Sequence, residues 1–93
     1  MRIVDVEKLK ELEELLASED TKNLLITFVD SEVYELYQFS DVDEGECAAT
    51  VIQQIIMAEG KREFFKSGSG MLFKLSEVLE AKNPKTNEVI FRS

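Results

Sequence analysis

Twelve consecutive residues from Cys47 to Ala58, CAATVIQQIIMA, carry no charge in a chain where 32% of residues are charged. Glu44 and Glu46 precede this run, and Glu59, Lys61 and Arg62 follow it. The remaining segments have to supply whatever covers it. Read at 100° per residue, Ala48, Val51, Ile52, Ile55 and Ile56 fall on one side. That is the i, i+3, i+4, i+7, i+8 spacing of an apolar helix face, and it predicts a helix from about 44 to 59. Gly60 is placed to end it in the left-handed conformation. The opposite side holds Thr50, Gln53, Gln54 and Met57, polar or soft but uncharged. A solvent-facing side in so charged a protein is expected to carry Lys and Glu. This side is therefore expected to be an interface, with a second copy or a partner helix or sheet. The alternative is a neutral face that is simply exposed, or one that segment 61–70 or the first helix covers.

Upstream, residues 5–18 read as an amphipathic helix. Leu9, Leu12 and Leu16 form its stripe, widened by Val6 and Leu15, and Asp5 is placed to cap it. Two heptads are too few for a coiled coil, so the stripe is expected to pack on its own domain. Residues 24–29 and 33–39 are β-rich runs around Asp30-Ser31-Glu32, which predicts a hairpin. Centring the turn on Ser31 opposes Val29 to Val33, Phe28 to Tyr34 and Ile26 to Leu36, and gathers Ile26, Phe28, Tyr34 and Leu36 on one face. A two-residue Asp30-Ser31 turn would put Glu35 on that face instead, so burial favours the first register, while the likeness of Asp30-Ser31 to the favoured Asp-Gly turn keeps the second open.

Residues 40–46, SDVDEGE, are expected to lead into the second helix, with Asp41 or Asp43 as its cap. Downstream, Glu63 to Lys66 form a short strand, or the helix runs on past Gly60. Residues 71–82 read as a strand kinked near Ser76-Glu77, residues 83–87 as a turn and 88–92 as the last strand. The order α-β-β-α-(β)-β-β implies one α+β domain over residues 1–93. Its two layers would be an antiparallel sheet of four or five strands and two helices.

Net charge is −8, unevenly placed. Residues 1–50 hold 14 Asp/Glu against 4 Lys/Arg, and residues 51–93 hold 5 against 7. An acidic surface disfavours nucleic-acid backbone as the main partner. The single cysteine excludes an internal disulfide. There is no apolar run of membrane-spanning length and no signal-peptide pattern at the start, so the expected location is the cytoplasm, with no membrane partner.

Few residues combine into chemistry. Counted from Asp41, an EF-hand loop would need Gly sixth and Glu twelfth; Gly45 is fifth and Ile52 twelfth. The stretch from Lys66 to Gly70 lacks the spacing of a phosphate-binding loop. Cys47 has acidic neighbours and the chain has no histidine, so a nucleophile would lack its usual base. No catalytic, metal or cofactor residue is assigned.

These features support a small non-enzymatic interaction or regulatory module that self-associates through residues 47–58, with Thr50, Gln53, Gln54 and Met57 in the contact. The alternative is a nucleic-acid-associated protein using Lys61, Arg62, Phe64, Lys66 and Lys74, cations on backbone and a ring on bases. An enzyme with a pocket between helix and sheet is the least supported. In brevity, acidity and the stretch FKLSEVLEAK, the chain resembles small proteins of bacterial genomes and their prophages. No motif specific to one family covers any part of it.

Overall fold

The computed structural model describes residues 6–18, 20–43, 45–57 and 65–93. Helix α1 (Val6–Ala17) forms where the leucine spacing predicts it. Leu12 and Leu16 are fully buried, and Leu9 and Leu15 pack at the margin of the core. Val6 is 77% exposed and does not extend the stripe. The helix ends without proline or glycine. Its free Leu15 carbonyl accepts instead from the Ser18 N–H and the Thr21 hydroxyl. Asp5, the expected cap, lies outside the described residues.

Six strands follow: β1 (Leu24–Phe28), β2 (Val33–Asp43), β3 (Glu46–Ile56), β4 (Gly70–Lys74), β5 (Val78–Lys82) and β6 (Val89–Arg92). They form one antiparallel sheet in the order β4-β3-β2-β1-β5-β6. The α+β class therefore holds. Among the described residues, however, there is one α-helix and not two, and six strands in place of four or five.

The main correction is the stretch 47–58, expected as a helix and found mostly in β3. Its buried residues are Cys47, Ala49 and Val51, a period of two, while Ile55 and Ile56 are about half exposed. Thr50, Val51, Ile52, Ile55 and Ile56 are β-branched, and such side chains lose freedom on a helix but pack well on a pleated sheet. An apolar run of this length fits either period, and tertiary pairing decides between them. The acidic lead-in is not a cap. Residues 40–43 continue β2, and Asp43 pairs with Glu46 across a two-residue connection. Gly45, at φ +80°, supplies the left-handed residue that this turn needs. Gly60 lies outside the described residues, as does the first half of the expected strand 63–66. Phe65 and Lys66 have no regular structure.

The first hairpin has the expected face but a different register. Ile26 pairs with Tyr34 and Leu24 with Leu36, two residues from the expected alignment. A shift of two preserves parity, so Leu24, Ile26, Phe28, Tyr34 and Leu36 all lie buried. The turn is Val29-Asp30-Ser31. Phe28 N–H donates to the Glu32 carbonyl, the Ser31 N–H donates to Phe28, and Ser31 takes φ +74°. The Asp30 side chain accepts from the Glu32 N–H and fixes this three-residue form.

The sheet is strongly curled. Four strand spacings of about 4.8 Å would separate β4 from β5 by roughly 19 Å if it were flat. Yet only Leu75–Glu77, a turn of 3-10 helix, joins Lys74 to Val78, a reach of about 14 Å at most. The ring of Phe28 on β1 meets that of Phe73 on β4 at 5.3 Å, across the hollow of the sheet. The same short turn ties both ends of β2. Leu75 N–H donates to the Gly45 carbonyl at one tip, and Val29 N–H donates to Glu77 at the other, each at 2.8 Å. Strand β2 bends to allow this, with successive register shifts against β3 and Gln38 at φ +55°. Helix α1 packs against β2 and the 3-10 turn, and the core fills the concave side. Among the described residues, no helix is long and apolar enough to cross a membrane.

Candidate interaction surface

The four residues expected to share a neutral face are divided by the strand. Thr50 pairs with Tyr37 and Gln53 with Glu35, on the convex side. There the Thr50 hydroxyl donates to Gln38 Oε1 at 3.2 Å, and Gln53 Nε2 donates to Glu35 Oε1 at 2.8 Å. Gln54 pairs with Tyr34 and turns to its side of the sheet. Met57 is half-buried just beyond the strand end. Adjacent strand residues face opposite sides, and the register shift between the Glu35 and Leu36 pairs puts Gln53, in place of Gln54, on the face of Thr50.

Gln54 belongs to a polar knot that the sequence did not announce. Glu32, beside the first hairpin turn, is only 2% exposed. Its Oε2 accepts from the Tyr34 hydroxyl at 3.0 Å and from Gln54 Nε2 at 3.2 Å. Gln54 Oε1 accepts from the Phe65 N–H, and the Phe65 ring meets Tyr34 edge-on at 5.7 Å. A buried carboxylate is tolerated only when it is hydrogen-bonded in this way. Burial, then the hydrogen bond to Glu32, then the negative charges of Glu32 and Asp30 hold the Tyr34 hydroxyl far above the usual phenol range. The knot anchors Phe65, where the described chain resumes after β3. In sequence, Glu32 reads as an ordinary turn residue; only its place two positions from Tyr34, on the buried parity, could have flagged it.

The other exposed feature is the β3–β4 end of the sheet. Ala48 pairs with Leu72, Thr50 with Gly70 and Glu46 with Lys74, all on the convex side. Leu72 is 67% exposed. No described element covers this side, and no described strand lies beyond β4. The backbone orientation follows from two flanking bonds. Leu75 N–H donates to Gly45, and Val51 N–H donates to Ser69. Antiparallel ladders alternate, so Met71 and Phe73 aim their N–H and C=O groups at β3, while Gly70, Leu72 and Lys74 aim theirs outward.

Of the alternative basic cluster, Lys61, Arg62 and Phe64 lie outside the described residues. Lys66 and Lys74 are exposed, and Lys74 stands across from Glu46. Cys47 lies in β3 and is fully buried. Two open clefts of about 400 Å³ flank Lys22, Asn23 and Asn83, one also lined by Glu35, Pro84 and Lys85. Among the described residues, no group of three or more His, Cys, Asp or Glu is placed to share a metal ion.

Compared with known proteins, the chain matches no family model, and neither the curated proteins nor the solved structures give a match.

Proposed function

We propose that the protein is a non-enzymatic interaction module that self-associates through the β3–β4 end of its sheet. The observation that carries this reading is Leu72, two-thirds exposed on an edge strand whose convex side no described element covers. Its neighbours Ala48, Thr50 and Gly70 are small and uncharged, and charge is depleted from the centres of protein interfaces. The run expected to make the contact is retained, but it acts as a strand with its flanking edge and not as a helix face. A non-enzymatic role is supported by the absence of histidine and the burial of the one thiol. Nothing observed at Lys66 or Lys74 favours a nucleic-acid surface over this reading.

Light scattering across a hundred-fold concentration range tests it. The expected mass rises from one chain to two, with little dependence on salt, because the contact is apolar and backbone-mediated. A single-chain mass at every concentration would overturn the proposal.

A further inference from the structure

Resting on that self-association, we propose that two copies join edge to edge through β4. They pair antiparallel about a two-fold axis at Leu72, so that one sheet continues across both chains.

Three observations select this pairing. First, the outward backbone groups of β4 belong to Gly70, Leu72 and Lys74. Pairing Leu72 with its own copy, and Gly70 with Lys74, brings all three into hydrogen-bonded pairs, about six bonds in total. Centring on Met71 or Phe73 instead leaves one outward residue unpaired and gives about four. Second, the side chains fit themselves. On the convex side Leu72 meets Leu72, and Lys74 meets Gly70, which has no side chain to oppose it. On the concave side Met71 meets Phe73, a favourable sulfur–ring pair, and extends the row that Phe73 forms with Cys47. No charge faces a like charge. Third, β4 lacks the usual guards of an open edge. It has no proline, its ladder with β3 has no bulge, and its only charge is Lys74 at one end. The opposite edge is protected. β6 has four residues, a register shift against β5, and Arg92 held to Glu80 at 2.8 Å.

A second copy is the occupant because the match is self-complementary about one residue, the condition for a closed isologous contact. The test uses Leu72→Lys and Leu72→Glu, each checked for folding by circular dichroism. Leu72 is largely exposed, so both are expected to fold as the parent does. Each alone opposes like charges on the axis and is expected to raise the dimer dissociation constant about tenfold or more. Mixed one to one, they oppose Lys to Glu and are expected to recover most of the parent affinity. A parent that stays monomeric overturns the proposed function and this pairing together. A dimeric parent whose two variants dimerise equally well overturns the pairing alone. Growth of the parent beyond two chains also overturns it, because it would mean an open, head-to-tail contact.

Discussion

Replacing Tyr34 with Phe isolates the polar knot at the first hairpin. The substitution keeps the ring and both edge-on contacts, with Phe28 and Phe65, each at 5.7 Å. It deletes only the hydroxyl that donates to Glu32 at 3.0 Å. Hydrogen bonds to charged groups contribute about 1.5–3 kcal/mol. Glu32 keeps Gln54 as a donor, so its charge is not orphaned, and the expected loss is about 2 kcal/mol. That corresponds to a melting point lower by roughly 8–16 °C in a domain of this size. Urea unfolding followed by circular dichroism should show the midpoint fall by about 1 M with an unchanged slope. A cycle with Glu32→Gln checks the assignment. Removing the hydroxyl should cost clearly less once its partner is uncharged. A single-variant loss under about 0.5 kcal/mol, or strictly additive losses, would refute the reasoning.

Two further outcomes follow from the same fold. Gly45→Ala places a Cβ at φ +80° where no neighbouring atom lies within 4 Å, so the cost is conformational alone, about 1–2 kcal/mol in urea unfolding; a neutral result would mean the turn relaxes. At alkaline pH, Tyr34 keeps its proton in the folded chain beyond the point where the unfolded chain has lost it. Its contribution to stability is full below about pH 10 and declines as pH rises through the raised folded value, by at most about 1.4 kcal/mol per pH unit. The tyrosinate absorbance of the native protein should therefore include a late step that Tyr34→Phe removes, and an unchanged titration in that variant would disprove it.

Much of the fold was legible because local and tertiary preferences agree. Leu12 and Leu16 sit at helical spacing and are buried as such. The hairpin's buried parity, the break at Ser76-Glu77 and the Asn83 turn each have a local physical cause. At that turn, Asn83 Oδ1 accepts from the N–H groups of Lys85 and Thr86. The isoleucines of the stretch 47–58 satisfy a 3.6-residue period by coincidence, while its β-branching and tertiary pairing favour the strand it forms. Gly45, between two β-compatible runs, is the local signal for a hairpin. The candidate site was legible only as a location. Neutrality marked β3 as unusual, but the exposed Leu72 belongs to a strand recognised for its pattern and not for its position at an edge. That position depends on the curl, which no single segment encodes. Parity with Tyr34 is the one local hint that Glu32 is buried, while its partner Gln54 lies twenty-two residues away.

The sheet order has a consequence for biosynthesis. Strand β1 lies between β2 and β5, so its second neighbour is encoded some fifty residues after it. A ribosome adding about 5–20 residues per second needs roughly 3–10 s to cover that distance. During this interval β5 is not available to Leu24–Phe28, and the backbone groups on that edge of β1 lack their final partner. Completion of the domain waits on Val78–Lys82, so shortening the chain before that point removes a central neighbour of the sheet and not a peripheral one.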